Sequence, residues 1–211
     1  LRYYGLHLFG YNLNQEIDFG SNISNKYFKE ALKNCNIYLE YGSGSSTLLA
    51  KKINKKFYSI ESDRDFYRYI NKILNDKSLI LKSLGIVKYY SIPVDLDFGI
   101  SPKNYLTSKK KLQIENYVND ILLHLKKKGV MPDLILIDGR YRVLCAVYLY
   151  YFFKNTNKNF KIIIDDYTAR PFYHVLNKFF EIKTVGRLGV ATKINTNVEN
   201  FNIEKYFLDC R

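Results

Sequence analysis

The stretch Glu40-Tyr41-Gly42-Ser43-Gly44-Ser45-Ser46-Thr47 brings a carboxylate, two glycines and a run of hydroxyls together. Glycines let a backbone turn sharply and lie close to a bound group. Ser45, Ser46 and Thr47 can cap a helix or donate hydrogen bonds to a ligand. Glu61 follows, and a carboxylate can accept both hydroxyls of a ribose. Glycine turn and spaced acid together point to a nucleoside-bearing ligand. A turn for a dinucleotide has the form GxGxxG and cradles a pyrophosphate at a helix N-terminus. Here Thr47 stands at the third glycine position. Glu40 would repel a pyrophosphate and suits a ligand carrying an ammonium group.

A second set of reactive types lies further on: Asp138-Gly139-Arg140-Tyr141-Arg142, then Asp165-Asp166, Arg170 and His174. Three chemistries fit these acids. Asp138, Asp165 and Asp166 could hold a hard divalent cation such as Mg²⁺ through oxygen. Alternatively Asp138 or Asp166 acts as a base without metal, or the acids pair with the arginines. The metal-free base is the favoured reading. Arg140, Arg142 and Arg170 could clamp a carboxylate or phosphate on a substrate. His174 is a candidate general base, against the more common structural role of a lone helical histidine. His7 and His124 have weaker claims. Cys145, inside an apolar run, reads as core.

Both sets need a scaffold that delivers them to one place, and the hydrophobic periodicity supplies it. Strands are expected over residues 37–41, 56–60, 87–94, 134–137 and 161–164, and a β-hairpin over 181–185 and 188–194 turning at Gly186-Arg187. Helices are expected over 25–32, 46–53, 63–74, 112–125, 142–153 and 173–180. Residues 95–109 read as a loop, and 1–25 as an N-terminal extension packed on the rest. Strand–helix alternation implies a parallel sheet with helices on both faces. Ligands of such sheets bind outside the C-terminal strand ends, near the switch in strand order. The acids and glycines fall at those ends.

At 211 residues, with 47% hydrophobic and 25% charged side chains, the chain fits a single globular domain over 1–211. Its three cysteines (Cys35, Cys145, Cys210) are widely spaced, which excludes a disulfide framework and a cysteine zinc site and fits a reducing, cytoplasmic setting. The longest apolar run, residues 143–153, is shorter than a membrane span. The first residue is Leu, so an upstream anchor or signal stays open. The net charge of +13 supports two readings. It is a solvated lysine-rich surface, or it is a functional basic face for an anionic partner such as nucleic acid. Lysines cluster at 51–52, 55–56, 109–111 and 126–128 without an RNA-reading signature.

The pattern ExGxGxST over Glu40–Thr47 resembles motif I of the class I S-adenosylmethionine-dependent methyltransferases, with Glu61 matching that family's ribose-binding acid. The resemblance runs from about Asn36 to Ile194. It implies a doubly wound, Rossmann-like α/β sheet of seven strands in the order 3-2-1-4-5-7-6, with the hairpin as its antiparallel end. It implies S-adenosyl-L-methionine as cofactor, held by Glu40, Gly42, Gly44, Ser45, Ser46, Thr47, Glu61 and Asp138. The strand-end acids Asp138 and Asp165-Asp166 resemble those of small-molecule O-methyltransferases. That implies a small-molecule or sugar acceptor, with Asp138, Asp166 and His174 as catalytic candidates and Arg140, Arg142 and Arg170 on the substrate. An RNA-modifying methyltransferase and a nucleotide-binding protein without transferase activity are the alternatives. The metal-dependent groups carry a lysine-bearing stretch and an Asp-Asn pair. This chain has Arg140 and Asp165-Asp166 instead.

Overall fold

The computed structural model describes residues 16–75, 85–92, 106–196, 198 and 201–209. In chain order the elements are α1 (Asn22–Asn34), β1 (Ile37–Tyr41), α2 (Ser45–Lys52), β2 (Lys56–Glu61), α3 (Arg64–Leu74), β3 (Gly85–Tyr89), α4 (Ser108–Lys127), β4 (Leu134–Ile137), α5 (Arg142–Phe153), β5 (Lys161–Ile164), a 3-10 helix (Pro171–Lys178), β6 (Phe180–Val185), β7 (Leu188–Ile194) and a short 3-10 turn (Glu204–Leu208). The seven strands form one sheet in the order β3-β2-β1-β4-β5-β7-β6. The first five are parallel, and β7 runs antiparallel to both β5 and β6.

Strand alternation sorts the core into two layers. Tyr38, Phe57, Leu134, Leu136 and Ile163 face α1, α2 and α3. Leu39, Tyr41, Tyr58, Ile60, Ile135, Ile137, Ile162 and Ile164 face α4, α5 and the 3-10 helix. Strands covered on both sides must be apolar throughout, which is why β4 reads Leu-Ile-Leu-Ile and is wholly buried. In α4 the buried positions Ile114, Tyr117, Val118, Ile121, Leu122 and Leu125 form a single stripe at helical spacing.

Several expected boundaries shift, each for a local reason. Helix α1 begins at Asn22 because Ser21 caps it, its hydroxyl accepting the Ser24 amide. Residues 22–25 therefore belong to a helix and not to the extension, while Ile17 and Phe19 are buried in the layer beside α1, α2 and α3. Residues 1–15, with His7, lie outside the described residues, as do 93–105 in the expected third strand and the loop after it. Thr107 caps α4, so that helix opens earlier than its apolar stripe. The segment expected as an α-helix over 173–180 is a 3-10 helix beginning at Pro171. Tyr173, Leu176 and Phe179 are all fully buried at a spacing of three, the period at which 3-10 side chains eclipse.

The strand ends are tied to one another past the last ladder pair. Gly42 N–H donates to Ile60 O at 2.8 Å, Asp138 N–H to Tyr41 O at 2.9 Å and Asp165 N–H to Ile137 O at 3.1 Å. This brings the turns after β1 and β4 into backbone contact. Gly42 has φ +96°, and a Cβ there would lie 2.7 Å from the Gly139 nitrogen. Around Gly44 a Cβ would meet nothing within 4 Å. The two glycines therefore serve different ends, close packing at Gly42 and open space at Gly44. Gly42→Ala should lower stability by about 2 kcal/mol or more, from left-handed strain and overpacking together. Gly44→Ala should stay within about 0.5 kcal/mol of the parent. Urea denaturation of both variants decides it, and equal stabilities would contradict the assignment.

Candidate ligand site at the strand ends

The turn between β1 and α2 is built around Glu40. This carboxylate has no solvent exposure, and among the described residues it forms no ion pair. Instead it accepts three hydroxyl hydrogen bonds: Tyr38 at 2.7 Å and Ser46 at 2.6 Å on Oε2, and Thr47 on Oε1. Thr47 Oγ1 in turn accepts the Gly44 amide at 2.8 Å. A relay thus runs from the Gly44 backbone through Thr47 to Glu40 and fixes the turn. Burial pushes the Glu40 pKa up, while the hydroxyl donors pull it back. Glu40, which the sequence sets toward an ammonium-bearing ligand, is bonded by these hydroxyls within the turn that surrounds Gly44.

Glu61, at the end of β2, is 6% exposed. Its Oε1 accepts the amides of Ser62 and Asp63, both at 2.7 Å, and its Oε2 accepts the Ser43 amide at 2.9 Å. Burial pushes its pKa up to about 7, against the pull of those three amides. Ser43 also bonds the Ser59 hydroxyl at 2.7 Å, which clips the glycine turn to β2. Glu61 and the turn are thereby held as one unit. Ser59 and Tyr38 complete this unit and carried no signal in the sequence, since each reads as an ordinary strand residue.

Across the switch between β1 and β4 lies a cluster of carboxylates and guanidiniums. Arg142, 8% exposed, donates from all three of its nitrogens. Nε donates to Gly139 O at 3.0 Å. Nη1 donates to Asp165 O at 2.8 Å and to Asp166 Oδ2 at 3.4 Å. Nη2 reaches Asp138 O at 3.2 Å and Asp138 Oδ1 at 3.0 Å. The sequence placed Arg142 on a substrate anion; the structure engages it fully as a latch between the ends of β4 and β5. Asp165, 2% exposed, is held by Arg187 through two parallel bonds of 2.7 and 2.8 Å. Arg187 sits in the hairpin turn and also donates to Asp18 O. Sequence reading passed over it, because a turn arginine carries no local motif.

Asp166 has φ +57°, and its Oδ2 lies 3.0 Å from Arg170 Nη2. Arg170 further donates to the Tyr173 hydroxyl at 3.3 Å. Arg140 is half-buried beside Gly139, and its amide donates to the Tyr117 hydroxyl at 3.2 Å. His174 is exposed and its ring packs on Tyr167 at 4.9 Å. Asp138 keeps 39% of its side chain open to solvent while bonding Arg142. Desolvation on its enclosed side is the largest influence raising its pKa; Arg142 opposes this, and the nearby Asp165 and Asp166 raise it further. Cys145 is fully buried and its thiol pKa is raised well above the usual range by burial, as expected of a core position.

The alternative metal set was Asp138, Asp165 and Asp166, and its oxygens do not suit a divalent cation. Asp165 has both oxygens on Arg187, and Asp166 and Asp138 are each tied to guanidiniums. Among the described residues no cluster of three metal-ligating side chains occurs. Two recesses elsewhere are unconnected to these acids. One is lined by residues such as Tyr27, Asp133 and Lys161 at the strand starts, the other by α4 and α5.

Removal of Arg142 would take a donor from the carbonyls of Asp138, Gly139 and Asp165 and a guanidinium from the carboxylates of Asp138 and Asp166. Arg142→Met should therefore cost about 3 kcal/mol or more by urea denaturation, the scale of breaking a buried charge network. A variant as stable as the parent would return Arg142 to the list of free anion-binding groups.

No protein-family model matches the chain, and comparison with curated proteins gives no match. Among solved structures it is similar to a methyltransferase-like protein from Silicibacter pomeroyi, with TM-score 0.70 and 21% identity over 93% of this chain and 100% of that one. A methyltransferase from Geobacter sulfurreducens gives TM-score 0.47 and 14% identity over 82% and 80%. The 16S rRNA methylase ArmA gives TM-score 0.39 and 12% identity over 92% and 94%. The first of these establishes a shared fold: the described chain has a Rossmann-like architecture also found in a methyltransferase-like protein.

Proposed function

We propose that the protein is an S-adenosylmethionine-dependent methyltransferase acting on a hydroxyl of a small molecule or sugar. The observation that carries this reading is the juxtaposition, at the sheet's switch point, of the open Gly44 turn, Glu61 and Asp138. Each stands at the end of a neighbouring strand. The fit to the cofactor rests on three features. Space around Gly44 admits a ligand against the backbone. Glu61 is pre-oriented by its three amides for the ribose hydroxyls. The acids here favour a cationic nucleoside over a pyrophosphate. A fold shared with a methyltransferase-like protein supports the same reading.

Bound there, S-adenosylmethionine would supply an electrophilic methyl group on a sulfonium. The chain's own contribution is placement and a proton acceptor. The Glu40 relay and Glu61 set the position of the nucleoside. Asp138 is the carboxylate best suited to take the acceptor's hydroxyl proton, because it meets a single guanidinium and remains open to solvent. Asp166 is surrounded by Arg142, Arg170 and Arg187 and serves better as an anchor for Arg170. Arg170 and Arg140 border the acceptor side, and His174 lies one turn beyond Arg170.

Calorimetry with S-adenosylhomocysteine against NAD tests the cofactor class: the first should bind and the second should not. Tighter binding of NAD would overturn the reading. Glu61→Ala should weaken S-adenosylhomocysteine by about 1.5–3 kcal/mol. The pH dependence has a defined sign. The Glu61 pKa is about 7 in the folded chain and 4.5 ordinarily, so the unfolded state holds fewer protons between these values. The contribution of Glu61 to stability is full below about 4.5 and is lost as the pH rises through about 7. Ribose hydroxyls donate to the ionised form, so binding should release a proton and tighten as the pH rises from 6 to 8. Glu61→Gln should flatten that rise. A wild-type affinity that is constant over the range would remove Glu61 from the ribose contact.

A further inference from the structure

The side of the molecule formed by α4 and α5 is used neither by the core nor by the proposed site. Six large apolar side chains are exposed among the described residues, and three of them lie here: Leu112 at 56%, Leu123 at 55% and Tyr151 at 47%. The other three, Ile23, Ile53 and Ile86, are scattered over separate elements, as single exposed residues commonly are. Leu112 and Leu123 are eleven positions apart, three helical turns, and so stand on one line along α4 about 16 Å long. Between them on that line come Asn116 and Asn119, with no carboxylate. A recess of about 360 Å³ runs beside the line, between Leu123 and the rings of Tyr148, Tyr151 and Phe152.

Cations frame this face. Lys109 is exposed at the start of α4, and Lys126, Lys127 and Lys128 are exposed at its end. The Lys154 ammonium lies 4.8 Å from the centre of the Tyr151 ring. The acids nearest the face are few: Glu204 is paired with Lys111 at 2.7 Å, and Glu115 is half-buried near Tyr148. Two exposed leucines and an amphipathic tyrosine between lysine clusters combine the apolar and cationic groups that an anionic lipid interface attracts. Among the described residues no helix is long and apolar enough to cross a membrane, so any contact would be with the surface.

We propose that the α4–α5 face docks on an anionic lipid surface, with Leu112, Leu123 and Tyr151 entering the headgroup boundary and the flanking lysines on the lipid phosphates. Anionic headgroups match the lysines, and the exposed leucines favour lipid over nucleic acid, whose phosphates would need the lysines alone. The proposal is independent of the chemistry at the strand ends.

The test is co-sedimentation of the full chain with phosphatidylcholine vesicles, with and without phosphatidylglycerol, and fluorescence anisotropy with a mixed-sequence RNA. Binding should require phosphatidylglycerol. Leu112→Ser with Leu123→Ser should reduce it about tenfold. Each of Lys126→Gln and Lys127→Gln should reduce it about fivefold. These positions are exposed, so unchanged thermal unfolding should accompany the loss. Three results would overturn the proposal: no vesicle binding, vesicle binding indifferent to the two leucines, or RNA binding that is tighter than vesicle binding.

Discussion

A buried carboxyl group held by hydroxyls organises the ligand turn. Glu40 sits at the centre of the sheet edge with no exposure and accepts hydrogen bonds from the hydroxyls of Tyr38, Ser46 and Thr47. Removing a carboxylate from water is costly unless its oxygens are satisfied. The residues that satisfy it come from both β1 and the first turn of α2, so the turn between them cannot relax. Gly44 is held through Thr47, Gly42 is pressed on Gly139, and Ser43 is clipped to Ser59 and Glu61. The opening around Gly44 is a consequence of that enclosure.

The neighbouring switch point solves a different electrostatic problem. Asp138, Asp165 and Asp166 would repel one another if left alone. Arg142 and Arg187 divide them: one guanidinium ties the ends of β4 and β5, the other pins Asp165 to the hairpin turn and to the residue 18 backbone. Arg170 adds a third partner on Asp166. Of the three acids, only Asp138 combines a place at the β1–β4 crevice with appreciable exposure. That division ties Asp165 and Asp166 to arginines and leaves Asp138 the most exposed of the three.

The strand–helix alternation was legible in the sequence, because five strands and a hairpin left apolar runs with acids and glycines at their ends, while the strand order followed from the resemblance of the glycine turn and hairpin to a known family. Residues 37–41, 134–137, 142–153 and 161–164 were read with their observed limits. The misreadings have physical causes. The period of three in Tyr173, Leu176 and Phe179 looks helical in sequence but packs as a 3-10 helix. Caps at Ser21 and Thr107 start helices before their apolar stripes begin. In the site, residue types announced Glu40, Glu61, Asp138 and Arg142, but partnership decides a role, and partnership is set by tertiary distance. Arg142 became a latch through contacts with residues 138, 139, 165 and 166, and Arg187 joined from a turn that carried no motif.

The proposed nucleoside site has Glu61 at the ribose and Asp138 at the reacting end. A crystal structure of the protein grown with S-adenosylhomocysteine would locate both ends of the ligand. The ribose diol should lie in hydrogen-bond contact with Glu61, with the ligand backbone over Gly44 and the sulfur directed toward Asp138. Density for the ligand elsewhere, or a ribose held without Glu61, would contradict this placement.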